Sequence, residues 1–291
     1  MRPTPPAADE GELWNALSEV VSATRAAAPC GTEVVACGVG SGGPMAPGGD
    51  AVSPLNIPGW RGFPLRARLA RLTGLPTYVD NDAKALALAE GWRGAALGRS
   101  DYIAMVVSTG VGGGIVLDGR LLEGRLGNAG HIGHLVVEPD GRPCACGGRG
   151  CLEAEASGMS IAAMTGRPAA TAPPLLVERT GMLVGRAVAS VASLLDLDLA
   201  VVAGSVALGY GAPFFSAAQA ELSVRARLSF SEGARIVPAL LGHEGPLVGA
   251  GAVGWRGIGG TGGSVTAPGE PDSSGEPPRS GVPDGARAVG R

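Results

Sequence analysis

The stretch Gly127-Asn128-Ala129-Gly130-His131-Ile132-Gly133-His134 is followed, after a short apolar strand, by Cys144-Ala145-Cys146-Gly147-Gly148-Arg149-Gly150-Cys151-Leu152-Glu153. It gathers three of the chain's five cysteines into eight positions. Three thiolates with a histidine shortly upstream make a closed tetrahedral donor set for zinc. Four protein ligands leave no open position for a catalytic water, so the site reads as structural. The ion would pin a glycine-rich loop that has little apolar mass of its own. The competing reading is a group of reduced surface cysteines without metal. Glu153 follows the last cysteine closely, so a metal-held loop would hold its carboxylate rigidly; a solvated glutamate is the plain alternative. His131 stays open between three roles: alternative ligand, polar contact to a substrate, or partner of a ligand.

Around this cluster the composition sets bounds. The 291 residues suffice for one large domain or two ordinary ones. Hydrophobic residues make up 45% but aromatics only 4%, so the core must be built mainly of Ala, Val and Leu. A net charge of −3 gives no electrostatic basis for binding nucleic acid. Lys84 is the only lysine. No apolar run reaches the length of a membrane span, and Met1-Arg-Pro-Thr-Pro-Pro6 lacks a signal-peptide core. Clustered cysteines without a secretion signal predict reduced thiols and a cytoplasmic protein. Cys30 and Cys37 read as small apolar residues.

Leu13, Trp14, Leu17, Val20 and Val21 recur at helical spacing and predict an opening helix. A strand is expected over 33–39, then the loop Gly40-Ser-Gly-Gly-Pro44. A helix follows from Phe63 to Leu72, stopped by Gly74. A short strand over 75–79 leads into Asp80-Asn81-Asp82 and a helix over 83–91. Strands are expected over 102–107 and 114–117, with Asp118-Gly119 as a hairpin turn. Beyond the cysteines, the pattern predicts a long helix over 174–195 and a strand over 199–203 that ends at Gly204-Ser205. A helix over 213–227, a strand over 235–240 and a helical segment over 247–253 complete it. Alternating strands and helices indicate an α/β protein. From Ile258 onward Gly, Pro, Ser and Thr dominate, and the tail 258–291 reads as disordered.

Three further segments can do chemistry. Asp82 stands at a strand end and helix start, where side chains project into clefts of α/β folds. It is a candidate general base, and helix capping by Asp80 or Asp82 is the alternative. Ser108-Thr109-Gly110-Val111-Gly112-Gly113-Gly114 joins two strands. Small residues and hydroxyls could cradle a phosphate there, or the run is simply a tight hairpin turn. Gly204-Ser205 closes a late strand and would let a ribose or a flat ring approach the backbone.

Taken in order, these segments resemble the ROK family of sugar kinases and sugar-responsive repressors. The family hallmark runs G-x-x-G-x-A-G-E-x-G-H, then C-x-C-G-x-x-G-C-x-E-x-x-x-S-G. Here Gly124 to His134 match the first part, and Cys144 to Glu153 with Ser157-Gly158 match the second. Asn81-Asp82-Ala83 is similar to the family's N-D-A motif, and Ser108 to Gly114 to its second phosphate loop. Gly40 to Pro44 and Pro54 to Trp60 match as well, so the resemblance covers about residues 2–256.

The resemblance implies an actin-like, ribonuclease-H-type ATPase fold of two lobes. The expected division is an incomplete small lobe over 1–81 and a larger lobe over 82–257. It implies ATP and Mg²⁺ as well as structural zinc, a hexose or N-acetylhexosamine substrate, and glucokinase-like phosphoryl transfer to a hexose, usually at the 6-hydroxyl. Asp82 would be the catalytic base. Asn81, His131, His134 and Glu153 would contact the sugar. Ser108, Thr109, Gly110, Gly112, Gly113, Gly204 and Ser205 would contact the nucleotide. His134, Cys144, Cys146 and Cys151 would bind zinc. A homodimer is expected, with neither nucleic acid nor membrane as a partner.

Two departures stand out. Family kinases begin with an Asp-x-Gly-Gly-Thr phosphate loop, and none precedes Leu13 here, which predicts impaired phosphoryl transfer by this chain as it stands. His131 takes the place of the usual glutamate, so sugar preference is expected to differ. The alternative function is a non-catalytic sugar-binding or transcriptional regulatory ROK protein.

Overall fold

The computed structural model describes residues 9–54 and 57–259. The expected disordered tail therefore lies, from residue 260 on, outside the described residues, as do Leu55 and Asn56. Helix α1 (Glu10–Ala26) opens on a reciprocal cap. Asp9 accepts from the Glu12 N–H at 2.8 Å, and the Glu12 carboxylate accepts from the Asp9 N–H. That cap starts the helix three residues before the first apolar position of its stripe.

Strands β1 (Cys37–Ser41) and β2 (Thr77–Asn81) pair in parallel, Cys37 opposite Thr77 and Ser41 opposite Asn81. Helix α2 (Leu65–Thr73) joins them and ends at Gly74, whose φ of 69° is the glycine stop expected of it. Both strands start later than the sequence pattern predicts, and Pro76 explains why. It has no N–H to give to a ladder, while its carbonyl takes the Cys37 N–H at 2.9 Å. Pairing begins there, and Val34 and Val35 stay exposed ahead of it. Leu13, Val52, Phe63, Leu69 and Val79 form the local core, with Trp60 stacked on Phe63 at 4.3 Å between centroids.

The larger sheet holds β3 (Tyr102–Val107), β4 (Val111–Leu117), β5 (Arg120–Leu121), β6 (Leu199–Ala203) and β7 (Arg235–Pro238) in the order β5-β4-β3-β6-β7. The β5-β4-β3 side is antiparallel and the β3-β6-β7 side parallel. Asp118 and Gly119 turn β4 into β5 with positive φ at both, as that dipeptide predicts.

Alternation along β3 and β6 feeds two cores. Ile103, Met105, Ala200 and Val202 face one helical layer that includes α6 (Pro174–Leu195) and α8 (Ala212–Arg225). Tyr102, Ala104, Leu199 and Val201 face the other, formed by α3 (Asp82–Arg93) and α9 (Gly245–Ile258). This period of two is what a sheet covered on both faces requires. Helix α9 also reaches the first sheet, where a Cβ on Gly38 would overlap the Ala250 carbonyl. Three short helices escape the sequence pattern: α4 (Leu152–Ala156), α5 (Gly158–Thr165) and α7 (Ser205–Tyr210). They are too short for a periodic stripe to show.

Helices α6 and α8 meet through glycine. A Cβ on Gly185 would run into the Ala218 carbonyl oxygen, and one on Gly181 into that of Phe214. Gly185→Ala gains about 1 kcal/mol of helix propensity but overpacks a backbone contact, at about 1–3 kcal/mol. The variant is expected to unfold at lower denaturant than the wild type; an unchanged or higher midpoint would show that the two helices are not so closely seated.

Candidate active site and metal centre

The four predicted metal ligands come together. One donor atom each from His134, Cys144, Cys146 and Cys151 lies within 4.8 Å of all the others. The Cys144 Sγ to His134 Nδ1 and Cys146 Sγ to Cys151 Sγ separations are both 3.7 Å. A tetrahedron with zinc–sulfur bonds of about 2.3 Å has edges of about 3.8 Å, so the donor set fits zinc. The loop is folded to make this possible. Gly150, at φ 68°, packs where any Cβ would overlap the Glu138 carbonyl. The Gly148 carbonyl accepts from the Cys144 N–H at 2.8 Å. Burial, with the neighbouring cysteines, pushes the Cys151 thiol up to about 12, a penalty that a bound cation reverses. Behind the loop sits a carboxylate that the sequence reading passes over. Buried Glu155 accepts from the Arg142 N–H at 2.6 Å and pairs with Arg179 at 2.8 Å. Its nearness to Glu153 on one short helix was the only signal for it.

Helix α4 begins directly after Cys151, and that start aims Glu153 across the molecule. Its Oε2 accepts from the Val111 N–H at 2.9 Å, while Oε1 accepts no hydrogen bond among the described residues. Asn81 and Asp82 arrive from the other side, at the junction of β2 and α3. The N-cap of α3 is Asn81, whose Oδ1 accepts from the Ala83 N–H at 3.0 Å, and Asp82, one residue on in the first turn, takes the same N–H at 2.9 Å, so the alternative of capping holds for Asp82 in part and not for Asp80. Asp82 occupies the first turn of the helix. It is open to solvent yet flanked by protein on most sides. That partial desolvation raises its carboxyl above the ordinary range, against the lowering effect of the Ala83 N–H and of His131. His131 senses both carboxylates. Burial and the neighbouring His134 lower its pKa, and Glu153 and Asp82 raise it, with a net shift downward that favours the neutral ring.

The two candidate nucleotide segments also meet. Ser108, after β3, and Ser205, after β6, share a hydrogen bond of 2.9 Å between their hydroxyls. The parallel β3–β6 pairing sets their strand ends side by side. Gly204 presses so close to the Val107 backbone that no side chain fits. The glycine run reads differently in the structure. Only Ser108, Thr109 and Gly110 form the turn, closed by the Ser108 N–H on the Gly110 carbonyl at 2.9 Å. Gly112 and Gly113 lie inside β4, opposite Val106 and Met105. There they seat other elements, Gly112 beneath Ala83 and Gly113 beneath Ile132 and the Gly130 carbonyl. They stand behind the turn and are not part of it.

The sequence profile of the ROK family matches residues 1–255. The chain belongs to the ROK family. Over 176 residues it is 43% identical to an N-acetylmannosamine kinase of Citrobacter koseri, a match that spans 55% of this chain and 60% of that relative's length. The crystal structure of a ROK hexokinase from Thermus thermophilus superposes with a TM-score of 0.76 at 34% identity, over 89% of this chain and 90% of the other. A ROK glucokinase from Streptomyces griseus, in complex with glucose and AMPPNP, superposes with a TM-score of 0.70 at 29% identity, over 87% and 90%. The actin-like ATPase fold implied by the hallmark residues is thus the fold of this ROK protein. Among its described residues, no helix is long and apolar enough to cross a membrane.

The ROK hallmark says nothing of a four-charge network beside the turn that carries Asp82. Lys84, almost wholly buried, pairs with Asp80 at 2.9 Å and with Glu123. Arg256 pairs with Glu123 and, at 3.5 Å, with Asp80. Asp80 also accepts from the Asn81 N–H at 2.8 Å. Burial raises the Asp80 carboxyl, while Glu123 is held low by Lys84 and Arg256 in spite of its own burial. A lone lysine in a chain otherwise basic through arginine was the available clue.

Cys146→Ser removes one of four donors from a loop with few apolar contacts. The purified variant is expected to hold far less zinc than the wild type by elemental analysis and to melt at lower temperature, and chelation of the wild type should lower its melting temperature similarly. Wild-type protein free of zinc, with a melting temperature indifferent to chelator, would refute the metal centre.

Proposed function

We propose that this ROK chain is an ATP-dependent sugar kinase that phosphorylates a hexose or N-acetylhexosamine, at the 6-hydroxyl first among the candidates. The observation that carries the reading is that three successive residues of β4 seat the segments bearing Glu153, Asp82 and His131: the Val111 N–H binds Glu153, Gly112 packs beneath Ala83, and Gly113 beneath Ile132. The similarity to an N-acetylmannosamine kinase and to a glucokinase solved with glucose and AMPPNP supports this substrate class.

In the proposed reaction, Asp82 accepts the proton of the sugar hydroxyl as that oxygen bonds to the terminal phosphorus of ATP and the bond to ADP breaks. Such transfer depends mainly on positioning and on stabilising charge. ATP, bound with Mg²⁺, supplies the phosphoryl group. The Ser108–Gly110 turn and Gly204-Ser205 would hold its phosphates and nucleoside. Asn81, His134 and the free oxygen of Glu153 would orient the sugar. His131, neutral, offers one donor and one acceptor where a glutamate would only accept, which favours a different pattern of sugar hydroxyls or an N-acetyl group. Zinc would hold the loop that carries Glu153 and takes no part in the transfer.

A base must be ionised to act, so a raised pKa moves the acid limb of the rate upward in pH. With ATP and Mg²⁺, a coupled assay across glucose, mannose, fructose, N-acetylglucosamine and N-acetylmannosamine should find at least one substrate. Its kcat/KM should fall on acidification through an apparent pKa above the ordinary carboxylate value of about 3.9. Asp82→Asn should lower turnover by about 10²–10⁴-fold while sugar binding persists. Undiminished turnover would refute the base assignment. Sugar binding without phosphorylation of any of the five would favour the regulatory reading.

A further inference from the structure

Beside β2 lies a cavity of about 660 Å³ whose lining includes none of the residues assigned above to sugar, nucleotide or metal. Its size is that of a small-molecule site. One wall is the turn at Gly48-Gly49 with Arg66, the other is β5 and the loop after it, with Arg120 and Arg125. Asp80, Lys84, Glu123 and Arg256 complete the charged lining. On a chain of net charge −3, five cationic side chains among the described residues therefore face this cavity against two carboxylates.

The cations are not equivalent. Lys84 and Arg256 are shared between Asp80 and Glu123, and Arg66 pairs with Asp50. Arg120 and Arg125 have no ion pair or side-chain hydrogen bond among the described residues, and both are exposed at the cavity rim. Two unpaired guanidinium forks five residues apart, above a floor that already carries Lys84 and Arg256, suit a group with several anionic oxygens. Among the described residues, Tyr78 is the single aromatic in the lining, so a stacked base has little to rest on.

We propose that this cavity binds the phosphate group of a small phosphorylated molecule. The bound anion would draw Lys84 and Arg256 away from Asp80. Asp80 holds the Asn81 N–H, so occupancy of the cavity would reach the turn that carries Asp82 without entering the sugar site. The inference is independent of the kinase reading.

The test uses the full chain loaded with zinc, titrated calorimetrically with inorganic phosphate, glucose 6-phosphate and neutral glucose. Wild type is compared with the Arg120→Ser/Arg125→Ser double variant. The wild type should bind both phosphates, more weakly as salt rises, and the double variant should bind them at least about tenfold more weakly. Glucose binding should be the same in both proteins, and that arm tests the sugar site separately. Tighter binding of glucose 6-phosphate than of inorganic phosphate would show that the cavity reads the sugar too; equal binding would show that it reads the phosphate alone. Equal phosphate affinity in the two proteins, or no phosphate binding by the wild type at about 10 mM, overturns the proposal. Glucose 6-phosphate binding that glucose displaces and the double variant retains belongs to the Asp82 site and overturns it too.

Discussion

The close seating of α3 on strand glycines governs where Asp82 can sit. A Cβ on Gly114 would come within 2.7 Å of the Lys84 Cα, and one on Gly112 within 3.1 Å of the Ala83 Cβ. From the opposite side, a Cβ on Gly40 would lie 3.2 Å from that of Ala85. The first turn of α3 is thus gripped between β1 and β4 with nothing larger than an alanine methyl as a spacer. A chain with few aromatics and a core of small residues can bring its layers this close. The position of Asp82 follows from that grip, because a helix seated on backbone has no softer contact through which to shift.

Much of this was legible in the residues, and what was missed has local causes. The long helix α6 and strands β3 and β6 match their predicted limits because apolar periodicity is unbroken over each of them. The first two strands are displaced by two to four residues because one proline forbids pairing, a long-range effect that composition does not carry. The glycine run after β3 looked like one loop. Its later members are strand residues whose missing side chains accommodate α3 and the Gly130 segment, and glycine gives the same letter for a turn as for a close contact. The metal ligands were readable because a closed donor set needs particular atoms at particular spacing. The network of Asp80, Lys84, Glu123 and Arg256 was not, since its members are dispersed over more than 170 positions and carry no motif.

Glu153 joins two parts that the sequence presents separately. One carboxylate oxygen is bound to the Val111 N–H, immediately after the Ser108–Gly110 turn, and its helix starts directly after Cys151 of the donor set. The Gly158 and Met159 N–H groups add bonds to the Ser108 and Thr109 carbonyls at 2.7 and 3.2 Å. The loop of the four-residue donor set and the turn are therefore one mechanical unit. Order in the loop is order in the turn, and a fault in the donor set is felt at a segment that touches no metal.

Lys84 has a practical consequence. The chain has one lysine, and its amine is enclosed between two carboxylates with almost no exposed surface. Reagents that acylate amines will find no lysine side chain to attack in the folded protein. Any label that does reach Lys84 must enter while the charged network has parted. The rate of that labelling is then a clock for local opening beside the turn that carries Asp82, written into the protein by the rarity of a single residue type.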